Sequence, residues 1–92
     1  MIKVGLNGFG RIGRAIFRIN MIKQYFDIVM INDINPSNQN LAYMLKYDST
    51  YGRLENEILG NDSSLIIKGL CEIDVHHCED IGEVPWDRNG VE

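Results

Sequence analysis

The segment Gly8-Phe9-Gly10-Arg11-Ile12-Gly13 has the residue types and spacing that most directly imply chemistry. Glycines spaced this way let a chain turn tightly, bring its backbone close to an anion, and pack a helix against strands. Gly8 permits the turn. Gly10 leaves no Cβ in the path of a pyrophosphate, and Gly13 allows close helix–strand contact. N–H groups at the helix start, from about Arg11 and Ile12, would then meet the anion, aided by the helix dipole. Asp33 stands 20 residues past Gly13, where such a site needs an acid for the adenosine ribose hydroxyls. Its charge would repel the additional 2′-phosphate of NADP, so the pattern favours NAD as cofactor. A glycine-rich corner alone could bind nothing. Here a strand precedes it, a helix follows it, and the acid is in place. Arg11 has two readings: a side chain free at the helix start, or an ion pair that holds the fold. Its main-chain N–H serves an anion in either case. Asn7 is read as tying the turn by hydrogen bonds.

Other reactive residue types are sparse. Cys71 and Cys78 are too few for a disulfide scaffold, which fits a reducing cytoplasm. Together with His76 and His77 they raise the possibility of a metal cluster. Neighbours on a strand point to opposite faces, and the spacing matches no zinc pattern. They are read as strand-edge residues, with no metal site.

The elements that position these groups can be read from periodicity. Ile2 to Leu6 alternates Ile2, Val4 and Leu6 and ends at Asn7-Gly8, a strand entering a tight turn. From Gly10 onward, Ile12, Ala15, Ile16, Ile19 and Ile22 recur at helical spacing. They are expected to form the face packed on a sheet, leaving Arg11, Arg14 and Arg18 mostly off it. Lys23 closes the helix with a favourable cation. Asp27 to Asn32 is almost continuously apolar, as suits a parallel strand covered by helices on both sides. After Asn35-Pro36, Ser37 is the expected N-cap of a second helix, with Leu41, Met44 and Leu45 on one face and an end near Tyr47. Asp48 to Arg53 reads as an ordered loop. Glu57 to Leu59, turn residues Gly60-Asn61-Asp62, and Ser64 to Ile67 predict a hairpin. Lys68-Gly69 then turns into Leu70 to Val75. Beyond Cys78 the signal fades, and Val91-Glu92 reads as the entrance to a further parallel strand. The fold class is therefore α/β: a partial Rossmann unit, with a doubly wound, mostly parallel sheet and a small antiparallel hairpin insertion.

Composition bounds the rest. The chain has 92 residues, 45% hydrophobic and 24% charged, with a net charge of −4. A chain of this size would bury about 60–65% of its unfolded surface as a single unit. The acidic balance argues against nucleic acid or an anionic membrane surface as partners. Charges interrupt every apolar run before the ~18 residues of a membrane span. The N-terminus lacks the layout of a signal peptide, so a cytoplasmic location is expected.

Lys3-Val4-Gly5-Leu6-Asn7-Gly8-Phe9-Gly10-Arg11-Ile12-Gly13-Arg14 closely resembles the N-terminus of the glyceraldehyde-3-phosphate dehydrogenase family. Ile31-Asn32-Asp33 resembles that family's second-strand end. Leu41 to Arg53 resembles its next signature, which usually has His where this chain has Tyr51. Pro85-Trp86 and Gly90-Val91 match later landmarks. The resemblance covers essentially the whole chain. It implies a Rossmann domain followed by a catalytic domain, with residues 1–92 the N-terminal part of the dinucleotide-binding unit. The cofactor-binding set is Asn7, Gly8, Phe9, Gly10, Arg11, Ile12, Gly13, Asn32 and Asp33. Within it, Arg11 and Ile12 meet the pyrophosphate and Asp33 the ribose. Lys46 to Arg53 would lie near a neighbouring subunit of a homotetramer. Glu79 departs from the pattern, because the family often has Arg there on the adenine side. An anion at that position removes a contact.

The family's reaction oxidises glyceraldehyde 3-phosphate with NAD and phosphate. A Cys thiolate attacks the aldehyde, hydride leaves to the nicotinamide, and phosphate releases the acyl group from a thioester. Neither Cys71 nor Cys78 sits in the family's Ser-Cys-Thr-Thr-Asn context. No catalytic residue is therefore assigned, and the chain alone is expected to be inactive. The alternatives are a stand-alone nucleotide-binding or assembly module without catalysis, and a fragment of erythrose-4-phosphate dehydrogenase. The latter tends to carry Glu at the Asp33 position.

Overall fold

Residues 2–48 and 52–91 are described by a computed structural model, and within them the strand–helix alternation is realised. In chain order the elements are β1 (Lys3–Asn7), α1 (Arg11–Lys23), β2 (Asp27–Asn32), α2 (Asn38–Lys46), β3 (Tyr47–Asp48), β4 (Gly52–Arg53), β5 (Ile58–Gly60), β6 (Ser64–Ile67) and β7 (Cys71–His76). Short 3-10 turns follow at Ile81–Glu83 and Trp86–Asn89. Tyr51, the position that departs from the family signature, lies outside the described residues.

The main sheet has the strand order β1-β2-β7-β6-β5. β1 runs parallel to β2, and β2 to β7. Parallel neighbours need a long crossover, and α1 supplies the first one. The β5–β6 hairpin forms as expected and extends the sheet beyond β7 through antiparallel pairings. The sheet is therefore α/β and mixed, with the Rossmann-like parallel strands at the end that carries the glycine segment. β3 and β4 make a separate two-stranded antiparallel pair that runs from the expected helix end at Tyr47 into the stretch read as a loop. Ser37 caps α2 as expected, its hydroxyl accepting the Asn40 N–H at 3.1 Å.

Leu41, Leu45, Leu65, Ile67, Ile73 and Val75 form the centre of the core between the helices and the sheet. The β1–β2 register slips between Val4 and Gly5, so that Val4 stands opposite Ile28 and Gly5 opposite Met30. Ile28 and Ile31 both enter this core as a result. Among the described residues, no α-helix covers the other side of β2. The segment after β7 lies there instead, with Val84 buried and the Trp86 ring so close to Gly5 that an added Cβ would sit 2.3 Å from it. The faint signal beyond Cys78 thus hides a packed element whose order depends on tertiary contact.

α1 buries the face opposite to the one its isoleucines predict. Ile12 is 78% exposed and Ile22 81%, with Ile16 and Ile19 also exposed, whereas Phe17 is only 3% exposed. Arg18 is buried as well. Its Nη2 donates to the carbonyls of Leu45 (2.5 Å), Lys46 (3.2 Å) and Gly52 (2.8 Å). One guanidinium thereby satisfies terminal carbonyls of α2 and anchors β4, where a cation also suits the helix dipole. A buried arginine with several carbonyl partners replaces the apolar residue that a periodicity argument requires at that position.

This reversal can be measured by urea unfolding. Phe17→Ala should cost about 3–5 kcal/mol through the cavity it leaves. Ile22→Ser should stay within about 0.5 kcal/mol of the parent, as exposed substitutions do.

Candidate functional site

The C-terminal ends of β1, β2 and β7 meet on one rim of the sheet, where open α/β folds bind ligands. At this rim the Gly8 N–H donates to the Asn32 carbonyl at 2.6 Å, one step beyond the β1–β2 ladder. The chain then reverses into α1 with Gly8 at φ +104°, a backbone conformation that side chains rarely adopt. Gly13 packs directly on this turn. An added Cβ would lie 2.4 Å from the Gly8 carbonyl oxygen. At Gly10, by contrast, nothing lies within 4 Å of an added Cβ. The three glycines thus have different surroundings: a positive φ at Gly8, open space at Gly10 and close backbone at Gly13.

Gly10 is the N-cap of α1, and no side chain caps the helix there; the first turn also carries no acid. The earliest helical bond is Arg14 N–H to the Gly10 carbonyl at 2.9 Å. The amides of Gly10, Arg11, Ile12 and Gly13 therefore have no protein acceptor among the described residues. They border an open cleft of about 470 Å³, lined by Leu6, Asn7, Gly8, Gly10, Arg11, Ile12, Gly13 and Ile16. An uncapped helix start of this kind is suited to an anion. Arg11 is exposed and has no ion-pair partner among the described residues, so the reading in which it holds the fold has no support here.

Asp33 is fastened at four points. Its N–H donates to the His76 carbonyl at 2.9 Å. Its own carbonyl lies 2.7 Å from His77 Nδ1. Its carboxylate Oδ2 accepts the Phe9 N–H at 2.7 Å, and Oδ1 accepts the Asn35 N–H at 2.9 Å. Each carboxylate oxygen keeps a further lone pair, so ribose hydroxyls still have acceptors.

Two residues counted with the cofactor set instead brace it from within. Asn32 is 3% exposed, and its amide is fully engaged inside the protein. Nδ2 donates to Asn7 Oδ1 and to the Cys78 carbonyl, both at 3.0 Å, while Oδ1 accepts the Cys78 N–H at 2.9 Å. This knot joins the ends of β1, β2 and β7. Asn7 is tied as its reading expects. Phe9 is 1% exposed and stacks edge-on to Phe17, with ring centroids 5.9 Å apart. Its N–H is taken by Asp33, so neither its ring nor its amide reaches the cleft. Of that set, Asn7, Gly8, Gly10, Arg11, Ile12 and Gly13 line the cleft, with Asp33 at the side.

A smaller hollow of about 280 Å³ lies between the C-terminal half of α1 and the starts of β2 and β7, and Cys71 lines it. Burial, and then the charge of Asp27, push this thiol above its ordinary pKa. That is the reverse of what an activated nucleophile needs. The contact of His77 with Asp33 was not foreseen from the sequence. Nothing in its local sequence distinguishes a ring that will meet a carbonyl 44 positions earlier.

The sequence matches, over residues 2–92, the family model described as glyceraldehyde 3-phosphate dehydrogenase, NAD binding domain. It is 44% identical over 92 residues to glyceraldehyde-3-phosphate dehydrogenase 1 of Candida glabrata, covering 100% of this chain and 27% of that protein. It is 40% identical over 91 residues to glyceraldehyde-3-phosphate dehydrogenase of Priestia megaterium, covering 99% of this chain and 27% of that one. It is 38% identical over 92 residues to the cytosolic glyceraldehyde-3-phosphate dehydrogenase of Ginkgo biloba, covering 99% and 27%. The chain thus spans 27% of the length of these relatives.

The two inner glycines should respond differently to a methyl group. Gly10→Ala should change unfolding free energy by about 1 kcal/mol or less while weakening NAD at least tenfold. Gly13→Ala should destabilise the fold by about 2 kcal/mol, as overpacking against backbone does. Denaturant melts paired with NAD titration of each variant check both outcomes.

Proposed function

The chain belongs to the family of glyceraldehyde 3-phosphate dehydrogenase NAD-binding domains, and from that membership we propose that its residues hold the adenosine and pyrophosphate half of NAD in a longer, cytoplasmic dehydrogenase. That enzyme would oxidise glyceraldehyde 3-phosphate and use inorganic phosphate to release the acyl product. The observation that carries this reading is the uncapped start of α1, with the amides of Gly10 to Gly13 bordering an open cleft beside Asp33.

In this assignment the four amides receive the pyrophosphate, and the α1 dipole adds to their attraction. Arg11 contributes its amide and leaves its side chain free to meet the same charge. Asp33 accepts hydrogen bonds from the ribose diol on its outward lone pairs, while Phe9 and Asn35 hold the carboxylate still. When bound, NAD supplies the hydride acceptor for aldehyde oxidation. These 92 residues contribute binding and orientation and no nucleophile, in keeping with the raised Cys71 thiol. The chain's coverage of 27% of its relatives supports a remaining part with the reacting groups.

Self-association through the region after α2 belongs to the same proposal. Tyr43 and Tyr47 are exposed, with ring centroids 4.9 Å apart, beside Lys46. Exposed paired aromatics of this kind suit a protein interface, here with copies of the same chain in a homotetramer.

Titration of the chain with NAD and NADP tests the cofactor assignment. The parent should bind NAD at least tenfold more tightly than NADP. Asp33→Ala should weaken NAD about ten- to a hundredfold, the effect of losing hydrogen bonds to a charged group, and should abolish the preference. Equal affinities for both cofactors, unchanged in the variant, would remove Asp33 from this role.

A further inference from the structure

The geometry points to His77 as a positioning residue for ribose recognition: its imidazole sits on the Asp33 carbonyl at the end of β7 and fixes the direction of the Asp33 carboxylate. This inference rests on the reading of Asp33 as the ribose-binding acid.

β2 ends at Asn32, so the Asp33 carbonyl lies past the last backbone pairing of β2 with β7. The Asp33 N–H still reaches the His76 carbonyl at 2.9 Å. On the carbonyl side, His77 Nδ1 at 2.7 Å takes the place that a strand neighbour's N–H would occupy. A carbonyl only accepts, so Nδ1 must carry the hydrogen. The His77 Nε2 is buried and has no partner among the described residues. The ring therefore has a hydrogen-bond partner at one nitrogen only among the described residues, and that nitrogen faces Asp33.

The consequence for the carboxylate follows from chain geometry. Rotation about ψ of Asp33 turns the Asp33–Ile34 peptide and carries the chain toward Asn35. The Asn35 N–H is the donor that holds Oδ1 at 2.9 Å. With the Asp33 carbonyl pinned by His77, this rotation is blocked and Asn35 stays on Oδ1. The other oxygen stays on the Phe9 N–H at 2.7 Å. Both outward lone pairs then keep the directions that a vicinal diol needs. Without His77 the peptide is free to turn, and the ribose loses a preorganised acceptor.

The test uses ADP and 2′-deoxy-ADP as probes of the 92-residue chain, titrated by NMR, because the difference between them isolates the ribose hydroxyl. The parent should favour ADP about tenfold. His77→Ala should weaken ADP about three- to tenfold, the range of one lost hydrogen bond, and bring the ratio close to one. His77→Asn places an amide N–H near the Nδ1 position and should restore the ratio; His77→Gln, whose amide reaches the Nε2 position, should not. Nitrogen shifts of the His77 ring should report a hydrogen on Nδ1.

If ADP preference disappears in Asp33→Ala but persists in His77→Ala and His77→Gln, the inference is overturned while the cofactor reading stands. If all His77 variants lose ADP and 2′-deoxy-ADP equally, His77 acts only through stability and the inference is again overturned. If the parent binds neither probe, the cofactor reading falls and takes this inference with it. Should His77→Ala fail to fold, the Asn and Gln variants alone decide.

Discussion

The hydrogen bond from the Phe9 N–H to the Asp33 carboxylate, 2.7 Å long, ties the glycine loop to the end of β2. Much of the site depends on it. With Phe9 held, Gly8 keeps its reversed backbone and α1 starts where Gly13 can rest on the Gly8 carbonyl. The same bond leaves the next four amides open among the described residues, because the Asp33 carboxylate takes the Phe9 and Asn35 donors instead. Next to it, Asn32 binds the ends of three strands with a single amide group. Two adjacent side chains at the end of β2 therefore build the rim, and the cleft is what remains open beside them.

This arrangement explains an unusual combination of order and openness. Helix starts in proteins are ordinarily satisfied by a Ser, Thr, Asp or Asn, and α2 follows that rule with Ser37. α1 has Gly10 and no cap. Its stability must come from elsewhere, and it comes from the buried face: Phe17 against Phe9, and Arg18 holding the carbonyls of Leu45, Lys46 and Gly52. The cost of an uncapped end is offset by tertiary contacts a turn or two farther along. The start of the helix stays open and its middle supplies the stability.

The sequence was readable where local rules and tertiary demands coincide. The alternation in β1, the turn residues of the β5–β6 hairpin and the Ser37 cap all specify their own local geometry. The three glycines could be assigned separate roles, because each role excludes a side chain for a different reason. The reading failed on α1, where isoleucines mark one face and the protein buries the other. Periodicity locates an apolar stripe and does not reveal what will cover it. A buried Arg18 is invisible to such an argument, because its carbonyl partners lie 27 to 34 positions away. The 3-10 turns after β7 escaped for a similar reason. Trp86 finds its place only against the bare backbone of Gly5.

The sequence by itself determined the class of fold, the order of its main strands and helices, and the glycine turn with the acid that accompanies it. These follow from short-range sterics: where a Cβ is forbidden, where a strand must end, where a helix can begin. Tertiary structure decided which members of the motif meet open space. Gly10 to Gly13 border the cleft, while Phe9 and Asn32 are drawn inward. It also decided what holds Asp33 in place. A hydrogen bond needs its partners within about 3 Å, and neither the Phe9 amide nor the His77 ring is close to Asp33 until β1, β2 and β7 lie side by side.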